Sequence, residues 1–180
     1  MASSAKRRWP PEPLVIEGFV PDNFYVNAVG TLRIGENGKL YHVHGKSPIV
    51  IAGNLNLEGT QVRELPEGLS VGGHLSLYGT PIRELPEGLS VGGYLDLRGT
   101  PIQKLPEGLR VEGGLNLADT QIRELPKGLS AGGYLDLSGT QIRELPDGLS
   151  VGGSLYLYRT QIRELLPDLK VEGKIYGFER

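Results

Sequence analysis

Apolar and polar residues alternate along this chain in a pattern that recurs every 20 residues. Set in lines of twenty from Leu55, the copies read LNLEGTQVRELPEGLSVGGH, LSLYGTPIRELPEGLSVGGY, LDLRGTPIQKLPEGLRVEGG, LNLADTQIRELPKGLSAGGY, LDLSGTQIRELPDGLSVGGS and LYLYRTQIRELLPDLKVEGK, with no insertion between them. In the second copy Leu75 and Leu77 alternate with polar residues, which is the period of a strand with one face buried. Thr80 falls at a bend, Ile82 and Leu85 point inward on a second side, and Leu89 and Val91 alternate again on a third. Six apolar side chains per copy thus face one axis. A fixed period of this length predicts a solenoid in which each coil buries its apolar face only against its neighbours.

The punctuating residues refine the coil. Pro66, Pro86, Pro106, Pro126 and Pro146 form a column. Residues without an N–H cannot sustain a ladder of backbone hydrogen bonds, so the second side is expected to be loop-like. Gly53, Gly73, Gly93, Gly113, Gly133, Gly153 and Gly173 recur without exception before the first strand. That predicts a backbone either at positive φ or too close to its neighbour for a Cβ. The preceding position holds Ala52, Glu112 and Glu172 as well as glycine, so an ordinary conformation is expected there, with only the second glycine demanded. Thr60, Thr80, Thr100, Thr120, Thr140 and Thr160 make another unbroken column, read as a structural ladder of hydroxyls bonded to backbone.

One coil buries too little to offset the entropy of ordering it, so several must stack and the ends need cover. Residues 14–54 are read as the amino-terminal β cap. There LRIGENGKLYHVHG sets Asn37-Gly38 between two alternating segments, a signal for a tight hairpin. SPIVIAGN places Ile49 and Ile51 twenty residues before Leu69 and Val71, on the third side. Residues 1–13 form a basic, Pro-rich tail, residues 55–174 the six repeats, and residues 175–180 the C-terminal end; the pattern frays in the sixth repeat, where Leu166 and Asp168 replace the expected Pro and Gly, toward a thin closing turn.

The stretch LxLxGTxIxxLPxGL, as in LDLSGTQIRELPDGL from Leu135 to Leu149, resembles the leucine-rich repeat over residues 55 to about 169. Thr stands where that family usually has Asn, as in some plant immune-receptor repeats, and the 20-residue length and LP step are similar to the short repeats of bacterial effector proteins. The resemblance implies a parallel sheet built on LxL and protein recognition through its outward side chains. Two features depart from the family. Its first Leu would fall at Gly72, Gly92 and Glu112, and the apolar pair just before predicts a third strand-like side. The expected fold is mainly β, a right-handed parallel β-solenoid of leucine-rich-repeat type with six coils, the alternative being a three-sided β-helix.

Composition narrows the function classes. The 27 Gly and 13 Pro would suggest disorder were they not periodic. With 19 basic and 21 acidic residues, the chain has no strong field to draw it to nucleic acid, which is disfavoured, or to an anionic membrane. It has no Cys, so disulfides and thiolate metal sites are excluded. Residues 1–13 lack the apolar segment of a secretory signal and no long apolar run occurs, so a soluble, cytoplasmic protein is expected. No nucleophile with a base, phosphate loop or metal cluster stands out, so the chain is not read as an enzyme and no cofactor is expected. His42-Val43-His44 would align two imidazoles, but Tyr41 and Val43 read as the buried side. Lys6-Arg7-Arg8 with Trp9 reads as a solvated end, and Asp96 and Asp136, two coils apart, are too distant for acid–base pairing.

The candidate site emerges from comparing columns. On the second side the copies repeat Arg63, Arg83, Gln103, Arg123, Arg143 and Arg163 beside Glu64, Glu84, Lys104, Glu124, Glu144 and Glu164, a solvated, charge-balanced face. The outward positions of the LxL strand differ in almost every row: His74, Ser76 and Tyr78; Tyr94, Asp96 and Arg98; Gly114, Asn116 and Ala118; Tyr134, Asp136 and Ser138; Ser154, Tyr156 and Tyr158. Tyrosines with scattered Asp, Arg and Asn compose a recognition surface, and the expected partner is another protein. The competing reading is that the rings stack across strands to stiffen the sheet. Self-association end to end is the alternative function.

Overall fold

The computed structural model describes residues 49–178 and, before them, the strands Leu14–Ile16, Leu32–Ile34 and Leu40–His42. The basic tail, the Asn37-Gly38 turn and the Val43-His44 segment lie outside the described residues. The chain is mainly β, with no helix among the described residues, and none therefore long and apolar enough to cross a membrane.

The 20-residue recurrence is one turn of a stacked coil. Leu55 pairs with Leu75, Leu75 with Leu95, Leu95 with Leu115, Leu115 with Leu135, Leu135 with Leu155 and Leu155 with Ile175, always in parallel. These strands form a seven-stranded sheet from Leu55–Asn56 to Ile175–Tyr176. A second, eight-stranded parallel sheet runs through the third side, joining Leu14–Ile16, Ile49–Ile51, Ser70–Val71, Ser90–Val91, Arg110–Val111, Ser130–Ala131, Ser150–Val151 and Lys170–Val171. The alternation at Leu89 and Val91 thus builds a ladder of its own. The Pro-bearing side carries no strand, as expected of a column without N–H groups. There each proline carbonyl closes a tight turn instead, accepting from the Leu three residues on, as in Leu89 N to Pro86 O at 3.4 Å.

All six predicted inward positions are buried. In the second copy Leu75, Leu77, Ile82 and Val91 are inaccessible, with Leu85 and Leu89 nearly so, and the same columns in the other coils join one continuous core. The cap enters as expected at Ile51, which pairs with Val71. Leu32–Ile34 and Leu40–His42, flanking Asn37-Gly38, pair antiparallel. The strand Leu14–Ile16, which extends the eight-stranded sheet by pairing with Ile49–Ile51, is an unforeseen addition. Its signal was present, since LVIEG at 14–18 has the pattern of IVIAG at 49–53.

Each threonine hydroxyl donates to the carbonyl three residues back in its own turn, as in Thr80 Oγ1 to Leu77 O at 2.8 Å, a carbonyl that also accepts the Thr80 N–H at 3.1 Å. Thr80, Thr100, Thr120 and Thr140 are buried, so their hydroxyls need these partners.

The glycine column resolves in favour of close approach. Positive φ belongs to other glycines, none of them at 73, 93, 113, 133, 153 or 173. At this corner consecutive coils are tied by Gly93 N to Gly73 O at 2.8 Å and Gly113 N to Gly93 O at 3.0 Å. A Cβ on Gly113 would lie 2.6 Å from both the carbonyl carbon and the oxygen of Gly93. The expectation that the preceding position is undemanding needs correction. A Cβ on Gly72 would meet the Ala52 carbonyl oxygen at 2.6 Å, so the conformation there is ordinary, with no positive φ, but the space is tight.

Gly113→Ala should therefore destabilise the chain by about 1–3 kcal/mol through overpacking against backbone. The exposed substitution Ser130→Ala should stay within about 0.5 kcal/mol. Equal denaturation midpoints for the two variants would show that the corner is not crowded.

Candidate functional site

All eleven candidate residues, His74, Ser76, Tyr78, Tyr94, Asp96, Arg98, Asn116, Tyr134, Asp136, Tyr156 and Tyr158, lie in the outward columns that begin at the seven-stranded sheet and run on into the adjoining turn. The alternation that buries Leu75 and Leu77 necessarily turns the residues between and beside them outward. Parallel stacking then sets each such residue about 4.8 Å from its counterpart in the next coil. That spacing suits ring stacking, and the structure brings the candidates together in two groups.

The first group spans the first three copies. The His74 and Tyr94 rings stack at 4.1 Å and 27°. His74 Nδ1 also accepts the Tyr94 N–H at 3.0 Å, which places the neutral imidazole's proton on Nε2. Beside it Asp96 receives Arg98, Nε at 3.0 and 3.1 Å and Nη2 at 2.6 Å. The guanidinium lies 5.0 Å from the centre of the Tyr78 ring. Asp96 is buried. The hydrogen bond to it holds the Arg98 guanidinium above its ordinary range, against an opposing effect of partial burial.

The second group begins at Tyr134, which leans over Gly114: a Cβ there would collide with the ring. Tyr134 meets Tyr156 edge to face at 6.3 Å and 83°, and Tyr156 stacks on Tyr176 at 5.1 Å and 12°. Tyr176 was not among the candidates, although it continues the column of Asp136 and Tyr156 by one rung. Tyr158 stands apart and is 49% exposed, with Tyr78 at 42% and Tyr94 at 36%. No contact of Ser76 adds to either group.

Part of this face holds the coil itself. Asn56, Asp96, Asn116 and Asp136 share one column, and each accepts the backbone N–H two residues on at 2.9–3.1 Å, closing the turn that leaves the strand. One column earlier, Asn54, His74 and Ser154 accept the N–H of the residue twenty on. One oxygen of each acidic candidate is therefore committed locally. Asp96 and Asp136 are further separated by Asn116, which pairs with both in register.

Beside the face, Asp119 and Arg159 occupy a turn column otherwise filled by glycine and take its positive φ, 56° and 58°. They join across Gly139 in an ion pair of 3.2 Å. The second side is a field of exposed paired polar groups, with Arg123 Nε donating to Gln141 Oε1 at 3.1 Å, Arg143 Nε to Gln161 Oε1 at 3.0 Å, and Lys127 bridging Asp147 at 3.2 Å. The depressions there are lined by these charged and polar side chains with the leucines and prolines of the same side. No group of three or more His, Asp or Glu side chains among the described residues is placed to hold a metal.

No protein-family profile, curated protein or solved structure matches the chain.

Burial raises the Tyr134 phenol above its ordinary value of 10.0, while the hydrogen bond with Asn116 pulls the other way. The folded phenol holds its proton more tightly than the unfolded one, so above pH 10.0 the folded state binds more protons and stability falls as pH rises. Thermal unfolding followed through that interval should decline less steeply in Tyr134→Phe than in the wild type. Identical pH dependence would mean that the ring is not held in this covered position.

Proposed function

We propose that this chain is a protein-binding module that captures its partner on the outward face of the seven-stranded sheet, acting as a bacterial or viral modulator of a host or partner protein. The observation that carries the reading is the contrast between columns. The second side repeats Arg–Glu in five of six copies, whereas the outward columns of the LxL strand change in nearly every row. Drift alone would have loosened the fully exposed Arg–Glu columns at least as much, since neither set belongs to the leucine core. The same face concentrates the exposed rings Tyr78, Tyr94 and Tyr158, which offer large contact area at low cost in side-chain entropy. The resemblance to leucine-rich repeats, whose LxL faces recognise proteins, points the same way.

The choice of residues for a test comes from burial. Tyr134 is half-buried over Gly114, so removing it would disturb packing as well as recognition. Tyr78, Tyr94 and Tyr158 changed together to Ser should abolish capture of a partner identified by pull-down and mass spectrometry, each change costing about 1 kcal/mol of stability or less through its ring contacts. Capture that persists in the folded triple variant would place recognition elsewhere.

A second reading, a structural solenoid that assembles end to end, has one observation in its favour. Among the described residues, Lys170–Val171 and Ile175–Tyr176 are the outermost strands of their sheets, and Ile175 is 36% exposed where Leu155 is fully buried. Light scattering over a concentration series separates the two. A binding module keeps one mass, and a mass that grows with concentration would favour assembly.

A further inference from the structure

We infer that the recognition face contains a receptor for a single arginine side chain of the partner, built on Asp136 with Ser138 and Tyr158. This rests on the binding reading above and names the partner's chemistry at one point of the face.

The repeat supplies its own comparison, because Asp96 and Asp136 occupy the same place in two coils. Each accepts the backbone N–H two residues on, Asp96 from Arg98 at 3.1 Å and Asp136 from Ser138 at 2.9 Å. Each strand also carries a tyrosine two residues earlier, Tyr94 or Tyr134. The two coils part at the next outward residue. Asp96 is met by the guanidinium of Arg98, which lies 5.0 Å from the centre of the Tyr78 ring one coil before it. At the corresponding position after Asp136 stands Ser138, and among the described residues no Lys, Arg or His comes within 4.0 Å of the Asp136 carboxylate. The nearby cation Arg159 is held by Asp119 at 3.2 Å.

The column that contains Arg98 continues Ala118, Ser138, Tyr158. Ala118 is buried and Ser138 is half-buried, so the two residues between Arg98 and Tyr158 in this column are small, with the large side chains at either end. Tyr158 stands one coil beyond Ser138, as Tyr78 stands one coil before Arg98, and its ring is the most exposed on the face. A guanidinium entering over Ser138 reaches the uncommitted side of the Asp136 carboxylate. Tyr158, one coil on in the same column at a strand spacing of about 4.8 Å, offers it an aromatic face. Asp136 is half-buried, with Tyr156 its partner in register on the next coil and Tyr134 two residues before it on its own. Arginine fits better than lysine, because its planar fork can bond a carboxylate while lying on an aromatic face.

The test uses the full chain, isotope-labelled, and N-acetyl-arginine-N-methylamide as the probe, monitored by NMR. Saturable shifts are expected at Asp136, Ser138 and Tyr158, with weaker effects from the lysine analogue. Asp136→Asn should weaken binding about tenfold or more by removing the charge-assisted bond. Ser138→Arg, which supplies the guanidinium from within as Arg98 does, should abolish the shifts while leaving the unfolding temperature unchanged. Absence of localised shifts in the wild type, or shifts that survive Ser138→Arg, would overturn the proposal. Partner capture retained in Asp136→Asn and Ser138→Arg but lost in the triple tyrosine variant would remove the arginine receptor and leave the face standing. Capture retained in all three would remove the face as well.

Discussion

The structure depends on the distance at which one coil lies on the next. Backbone hydrogen bonds of both sheets set that distance, and the glycine corner allows it to be kept where the chain turns from one sheet into the other. Gly93 N to Gly73 O and Gly113 N to Gly93 O are short because no side chain stands between the coils. With the spacing uniform, every column becomes a stack of like positions. The inward columns fill a common interior, and the outward ones form ladders whose chemistry is whatever the copies place there. A single insertion in any copy would shift a whole strand by one residue and turn its leucines to solvent.

The same spacing sets a conflict on the LxL face. Rings about one strand apart stack whether or not they recognise anything, so stiffening and binding draw on the same side chains. The geometry divides the labour. His74 with Tyr94, and Tyr156 with Tyr176, spend ring faces on each other. Asn56, Asp96, Asn116 and Asp136 spend one oxygen on the turn. What these local contacts leave uncommitted is narrower than the full set of outward residues: the exposed rings of Tyr78, Tyr94 and Tyr158, and the second oxygen of Asp136.

Periodicity made the fold legible. Leu75, Leu77, Ile82, Leu85, Leu89 and Val91 could be assigned inward because only one arrangement of a repeated coil buries all six. The proline column ruled out a third ladder for a reason of covalent chemistry. Less was legible where two physical causes produce the same residue. A column of glycine can mean positive φ or a close neighbour, and only coordinates separated them at Gly113. The turn-closing role of Asp96 and Asn116 was hidden for a similar reason, since Asp and Asn are also what a recognition surface uses. Leu14–Ile16 was missed because it falls outside the 20-residue register, although its pattern matched that of Ile49–Ile51. The pairing of Asp119 with Arg159 spans two coils and leaves no trace in either copy alone.

The row Gly114, Asn116 and Ala118, which ends the third copy and opens the fourth, bears on whether the outward columns were shaped or merely drifted. It is the smallest row, which would look like decay if each row were judged alone. Against the row of the next coil the reading changes. The Tyr134 ring lies where a Cβ on residue 114 would be, and Asn116 acts on the same phenol, opposing the effect of its burial. Gly114 and Tyr134 are thus complementary across a coil boundary, as are Arg98 and Tyr78. Differences between copies that fit one another in this way are what a built surface requires. Independent drift of each row supplies no reason for a glycine to sit under a tyrosine of the next coil.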